Sequence, residues 1–320
     1  MSDTEERIYF DHAATTPLDE EVFEKMRPYY TEIFGNADSP HSFGREAVRG
    51  VDAARDKVAE LIGAAPKEIY FTSGGSEADN QAILSAARLG ARKGKKHIIS
   101  TAFEHHAVLH TLKKLEKEGF EIELLPVGAI GTVTAQQVQS ALRADTCLVT
   151  VMYANNEIGS ILPIAEIGAV CKEAGVLFHT DAVQGFLKVP FRAKALGADM
   201  ISVSAHKIHA AKGTGALYIR PGLPLPAFLN GGGQESNYRS GTENMPGICG
   251  FGAACADTDA KADIARMAQL RDLAREKLAQ IDGLVLIGSQ AAPHIVNLSL
   301  PGLRSQGIIN CLQSDGIYVS

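Results

Sequence analysis

Apolar positions in this chain fall into two alternating regimes. Short apolar runs bounded by turn residues read as strands at Ile69 to Thr72, His97 to Ser100, Glu121 to Val127, Cys147 to Tyr153, Val176 to Thr180, Asp199 to Val203 and Gly215 to Ile219. Stretches with apolar residues at helical spacing fill most of the longer intervals. Strand and helix in such alternation predict an α/β fold: a largely parallel seven-stranded sheet covered by helices on both faces. Upstream, Leu18 to Tyr30 reads as a helix, Gly35 to Ser42 as a turn-rich loop, and Val48, Val51, Ala54, Val58, Leu61 and Ile62 as one face of a longer helix. The texture changes after Arg220. A passage rich in proline and glycine, Pro221 to Gly233, precedes a nearly continuous helical pattern from Met245 to Ile281. Strands at Leu284 to Ile287 and Ile295 to Leu300, a helix from Ser305 to Ser314 and a strand at Ile317 to Val319 then read as a smaller α+β unit. The expected division is a large domain over 16–250 and a small one formed by 1–15 with 251–320.

Composition narrows the function classes. With 320 residues, 45% hydrophobic and 21% charged, the chain can bury a large core. A net charge of −6 offers no basic field for a phosphate backbone, so no direct nucleic-acid partner is expected. The polar, acidic start and the lack of any membrane-length apolar run predict a soluble cytoplasmic protein without membrane attachment. The five cysteines, Cys147, Cys171, Cys249, Cys255 and Cys311, have no CxxC spacing and read as neither disulfides nor metal ligands.

Four stretches carry candidate chemistry. Lys207 closes Ser204-Ala205-His206-Lys207 just after an apolar strand. Taken alone it is either a solvated charge or a desolvated amine suited to attack on carbonyl carbon. Thr72 to Asn80 is a glycine-bearing turn between strand and helix, either a plain turn or a phosphate cradle, and it is neither the dinucleotide nor the P-loop fingerprint. Asp181, followed by Gln184, ends a hydrophobic strand, where it either caps a helix or meets a buried cation such as a pyridinium nitrogen. In Glu104-His105-His106-Ala107-Val108-Leu109-His110, His106 and His110 read as helix-surface residues, no metal site is expected, and an imidazole there could stack on a flat heterocycle.

Together these stretches resemble the cysteine desulfurases of the NifS/IscS type, in the class V aminotransferase group of fold-type I pyridoxal phosphate enzymes. The matching motifs run in family order: Tyr9 to Pro17 (YFDHAATTP), His41 to Ala47 (HSFGREA), Phe71 to Asn80, Glu104 to Val108 (EHHAV), Asn155 to Gly159 (NNEIG), His179 to Gln184 (HTDAVQ), Ser204 to Lys207 (SAHK) and Arg239 to Asn244 (RSGTEN). The resemblance implies conversion of L-cysteine to L-alanine with sulfur passed as a persulfide to an acceptor protein, such as an iron-sulfur scaffold or a tRNA-thiolation enzyme. It implies that Lys207 carries pyridoxal 5'-phosphate covalently and shuttles the substrate α-proton. His105 would stack on the ring and serve in proton transfer, Asp181 would pair with the ring nitrogen, and Gln184 and Asn155 would bond around the phenolic oxygen. Gly75, Ser76, Ser204 and His206 would cradle the phosphate, and Thr242 would reach it from the second subunit of a homodimer.

One departure bears on mechanism. The family's persulfide-forming cysteine lies in a small-residue loop shortly after a strand resembling Gly316 to Ser320, and its substrate-anchoring arginine lies further on; no cysteine here sits in a matching motif. The expectation is a chain that continues past Ser320. Two alternatives remain at this point: a selenocysteine lyase or another class V enzyme with the same cofactor shell, and a non-catalytic scaffold, which would have no need of Lys207, Asp181, Gln184 and His105.

Overall fold

A computed structural model of the chain describes residues 7–190, 192–289 and 291–320. Residues 1–6 of the expected small domain lie outside the described residues. In chain order the elements are β1 (Ile8–Tyr9), α1 (Glu20–Met26), α2 (Pro28–Thr31), α3 (Ser42–Ile62), β2 (Ile69–Thr72), α4 (Gly75–Ala91), β3 (His97–Thr101) and α5 (His106–Lys117). They continue with β4 (Glu121–Leu125), α6 (Ala135–Ala141), β5 (Thr146–Thr150), α7 (Ile164–Ala174), β6 (Leu177–Asp181), α8 (Ala193–Leu196), β7 (Met200–Ser204) and β8 (Gly215–Ile219). The last third holds α9 (Met245–Asp257), α10 (Ala260–Leu278), β9 (Val285–Leu286), β10 (Leu298–Ser299), α11 (Ser305–Ser314) and β11 (Ile317–Tyr318).

The seven predicted strands form one sheet in the order β2-β8-β7-β6-β5-β3-β4. It is parallel from β7 to β4, whereas β8 runs antiparallel to both β7 and β2. Alternate residues of each strand feed two cores. Ile98, Leu148, Met200 and Leu217 pack with α4 and α5. Their neighbours Ile99, Val149, Phe178 and Ile201 pack on the opposite face with α3, α7 and α9. By the same alternation Leu177, His179 and Asp181 share the α4 face, as do Met200, Ser202 and Ser204.

Local sequence explains the helix limits. In α3 the buried positions Ala47, Val51, Ala54, Val58 and Ile62 repeat at the helical period, and Gly63 at φ 75° stops the helix in a left-handed cap. The single helix expected over Leu18 to Tyr30 is two, α1 and α2, because Pro28 has no N–H to continue the ladder. The continuous pattern from Met245 to Ile281 likewise divides. Apolar α9 is buried, while α10 begins anew behind Asp259, whose carboxylate accepts the Ala262 N–H, and buries none of its residues. Several strands are shorter than expected: β4 ends at Leu125, β5 spans Thr146–Thr150, and β9 and β10 keep two residues each. β1 pairs in parallel with β11, joining the two ends of the described chain.

Gly215, the first residue of β8, lies against the turn before α4: a Cβ there would come within 2.7 Å of both Gly74 Cα and Val203 O. Both neighbours are backbone and cannot yield cheaply. Gly215→Ala is expected to cost about 1–3 kcal/mol of unfolding free energy by urea denaturation, as overpacking of a filled site does.

Candidate active site

The site is assembled at the C-terminal ends of the central strands, where open α/β sheets place ligands. At its floor, β6 ends in Asp181, only 5% exposed. Asp181 Oδ1 accepts the Val183 N–H at 2.9 Å. Burial pushes this carboxyl's pKa upward; the Val183 N–H, His105 and Lys207 pull it back. A carboxylate so placed is costly unless a cation faces it.

Beside it, β7 ends in Ser204 and passes into a 3₁₀ turn, Ala205–Lys207. The turn is stitched to the segment before α1. Thr16 donates its hydroxyl and its N–H to the His206 carbonyl at 2.8 and 3.0 Å, and its hydroxyl accepts the His209 N–H at 2.7 Å. Thr15 Oγ1 meets His206 Nδ1 at 3.0 Å. Half-buried Lys207 points its Nζ at the Ala13 and Ala14 carbonyls, the latter at 2.8 Å. Burial lowers its pKa, against the pull of Asp181 and Asp11. That is the condition for an amine to shed its proton and act as a nucleophile or base. Burial and the nearby Lys207, Lys212 and Lys188 push His206 down to about 4, leaving it neutral at physiological pH.

The third wall is the turn from β2 into α4. Gly74 has φ 147° and ψ −179°, a backbone conformation reserved in practice for glycine, and gives α4 no side-chain cap. The first N–H groups of a 17-residue helix are therefore open to an anion. Ser204 lies alongside: a Cβ on Gly75 would meet Ser204 Cβ at 3.6 Å and Val183 Cγ2 at 2.6 Å. Glu77 fixes the turn by accepting the Ser73 N–H at 3.0 Å and is itself held by Arg239 Nε at 2.8 Å. Gly75 and Ser204 thus lie side by side, with exposed Ser76 next along α4.

The remaining predicted residues divide. His105, exposed on the site side, caps α5 by accepting the Ala107 N–H on Nδ1 at 3.1 Å. With Nδ1 occupied as an acceptor, the hydrogen-bond geometry assigns the neutral ring's proton to Nε2. Gln184 donates to the Ala13 carbonyl at 2.7 Å and lies 3.1 Å from His294 Nε2. Asn155 is buried with its side chain engaged on backbone: Oδ1 accepts from Glu157 and Ile158, both at 2.9 Å, and Nδ2 donates to the Phe103 carbonyl at 3.1 Å. Thr242 is exposed, in the passage anchored by Arg239. His106 and His110 lie on the exposed face of α5, and no metal-binding cluster occurs among the described residues.

Sequence reasoning missed several contributors. The Ala13 and Ala14 carbonyls, Thr15 and Thr16 belong to a quoted motif yet carry no individual chemical signal. His294, Asp79 and Glu104 are assembled by the fold alone. Burial raises Cys147, Cys249 and Cys171 to about 11, 11 and 12, and raises Cys255 also, so these thiols are poor nucleophiles. Cys311 is exposed on α11.

The residues present fit pyridoxal phosphate: an uncapped helix end with glycines a Cβ would obstruct, a buried carboxylate short of a cation, and a desolvated amine. The Aminotransferase class-V family profile matches residues 8–320. The chain belongs to this family. A relative from Bacillus subtilis (strain 168), named putative cysteine desulfurase IscS 1, is 46% identical, covering 98% of this chain and 84% of its own length. Among solved structures, a NifS-like protein superposes with TM-score 0.93 at 39% identity, over 98% of this chain and 87% of its own. Another, SspA in complex with cysteine, superposes with TM-score 0.88 at 35% identity, over 98% and 88%.

Buried Glu104, the residue before His105, supplies a pH test. Burial pushes its carboxyl up to about 8, despite hydrogen bonds from Thr101 and Met152. Unfolded, it ionises in the ordinary carboxyl range. Between those values the native class-V enzyme holds one proton more than the unfolded chain, so stability falls as pH rises and levels off above about 8. Calorimetry from mildly acidic to mildly alkaline pH should show a steeper fall for the wild type than for Glu104→Gln, by up to ~1.4 kcal/mol per pH unit.

Proposed function

We propose that this chain is a pyridoxal-phosphate-dependent cysteine desulfurase that converts L-cysteine and an acceptor thiol into L-alanine and a persulfide. The observation that carries the reading is the convergence of the Lys207 amine, the Asp181 carboxylate and the open end of α4 in one cleft. Membership of the class-V family and the relatives named cysteine desulfurase support it. When bound, pyridoxal phosphate supplies an electron sink for negative charge developing on the substrate α-carbon.

The chain's own residues do the rest. Gly75, Ser76, Ser204 and His206 would hold the phosphate. Asp181 would keep the ring nitrogen protonated, and His105 would lie against the ring with Nε2–H available as a donor. Gln184 and Asn155 line the phenolic-oxygen side. Lys207 Nζ would carry the cofactor, take the α-proton of L-cysteine and return a proton to the α-carbon, while the proton shed by the acceptor thiol completes the β-carbon as the alanine methyl. An acceptor thiolate takes the sulfur: its S–S bond forms as the substrate C–S bond breaks. The four buried cysteines are unsuited to that step.

The reading extends to a cytoplasmic homodimer that feeds iron-sulfur assembly or tRNA thiolation. Support for a dimer comes from exposed Tyr30, Phe34 and Phe43 near the Gly231 to Asn244 passage, to which Gln234 ties Asp38. The passage is rigidly held: Arg55 grips Glu235 at 2.8 and 2.7 Å, and Glu235 also accepts the Phe71 N–H at 2.8 Å. Thr242 then projects outward to a second subunit's phosphate. Among the described residues no helix is long and apolar enough to cross a membrane. The reading keeps a large domain over 16–250 and a small one formed by 1–15 with 251–320, with Phe251, Ala254 and Cys255 of α9 packing on the large-domain core across that boundary.

Two experiments test this. Purified protein given L-cysteine and a reductant should release sulfide, and borohydride should trap the cofactor on Lys207. Lys207→Ala should lose the visible absorbance and at least 10³-fold of the activity, the scale of losing a catalytic nucleophile. Absence of an adduct on Lys207 refutes the reading. Mixing Lys207→Ala with Thr242→Ala subunits separates the subunit roles: if Thr242 serves its partner, one site in each mixed dimer is intact and activity returns, whereas within-subunit action leaves both sites defective.

A further inference from the structure

Asp181 is not the only carboxyl at this end of the sheet. Asp79, from the first turns of α4, is 1% exposed, and Glu104, just before α5, is 5% exposed. Asp79 Oδ1 has no hydrogen-bond partner and lies 3.6 Å from His179 Nε2, and the Ser202 hydroxyl beside it favours its charged form. His179 is fully buried and suspended between two hydroxyls, Ser202 Oγ on Nε2 at 2.9 Å and Thr150 Oγ1 on Nδ1 at 2.8 Å. Glu104 Oε1 accepts from Thr101 Oγ1 at 2.6 Å and from the Met152 N–H at 3.0 Å, and its Oε2 has no partner.

In this dry interior Asp181 raises the pKa of both Asp79 and Glu104, and Glu104 raises that of Asp79, so all three cannot ionise together. What faces each group decides where the charge resides. Asp181, on β6, is acted on by the Val183 N–H, by His105 at the head of α5 and by Lys207 beyond β7. Asp79 has one hydroxyl in its favour, with Asp181 and Glu104 against it. Glu104 has two neutral donors, and Asp181 against it. His179, which burial pushes down to about 3, supplies no positive charge.

We propose that Asp79 and Glu104 are positioning residues held as neutral carboxylic acids, so that Asp181 is the single carboxylate of the pocket floor. The Ser202–His179–Thr150 hydrogen-bond chain, with Asp79 Oδ1 beside His179, sets the place of that charge along the ends of α4, β7, β6 and β5. This rests on the reading that Asp181 faces the ring nitrogen of pyridoxal phosphate. Burial raises the pKa of Asp79 well above the usual carboxyl range and that of Glu104 to about 8, in keeping with the geometry. A role in packing alone would be better met by apolar side chains, because an orphaned carboxyl oxygen destabilises the fold around it.

The test is infrared spectroscopy of cofactor-free and cofactor-loaded protein at neutral pH, read at the carbonyl stretch of protonated carboxyls. Two stretches are expected in both forms. Asp79→Asn should remove one and Glu104→Gln the other, and carbon-13 labelling of aspartate carboxyls should shift the first in wild-type protein without any substitution. Asp79→Asn, which keeps shape and removes only a proton site, should leave the pH midpoint of the cofactor's visible absorbance in place. An unshifted spectrum on aspartate labelling overturns the inference. So does an Asp79→Asn midpoint displaced by about a unit, the scale of losing a neighbouring charge. Asp181→Asn separates the two levels: if it binds pyridoxal phosphate with unchanged affinity and spectrum, the placement of Asp181 under the ring fails, while the stretches still report whether Asp79 and Glu104 are protonated.

Discussion

A negative charge confined at the end of β6 is the constraint on which the rest of this structure turns. Asp181 sits on the α4 face of the sheet among buried, uncharged neighbours such as Ser202 and His179, with one backbone N–H from its own turn. Such a charge persists only if something outside the chain's apolar core answers it. The surrounding elements are arranged to that end. β7 delivers Ser204 and Lys207 alongside, α4 points its uncapped end toward the same cleft, and the segment before α1 closes over the turn through Thr15, Thr16 and the two alanine carbonyls.

The anchoring of the surrounding turns follows the same economy of partners. Glu77 braces the turn before α4 and also holds Arg239, while Glu235 joins Arg55 to the β2 backbone. These pairs are partly or wholly shielded from water, so removing either partner strands a charge. They tie the phosphate end of the cleft to the passage that carries Thr242. One rigid unit thereby includes both the open helix end and the segment proposed to serve a second subunit.

Much of the site was legible along the chain because its members stand at strand ends or beside glycines. Asp181 and Lys207 each follow an apolar run, and Gly74-Gly75 interrupts a strand-to-helix junction; these are local signals. Asp79 and Glu104 gave none. An aspartate in the second turn of an amphipathic helix and a glutamate before a histidine pair look like solvated charges until the sheet is built against them. Asn155 was legible as a motif residue, but its engagement with the Phe103, Glu157 and Ile158 backbone was not, since those partners lie on two separate segments.

The sequence by itself determined the strand and helix alternation, the seven-stranded sheet and the chemistry available at the strand ends, because hydrophobic periodicity and glycine placement act over a few residues. Tertiary structure alone decided the antiparallel setting of β8, the pairing of β1 with β11 and the fate of each proton in the cleft. Those depend on which groups meet across long stretches of chain. The ionisation of a buried carboxyl is fixed by the neighbours that replace its water, and no single stretch of sequence contains them.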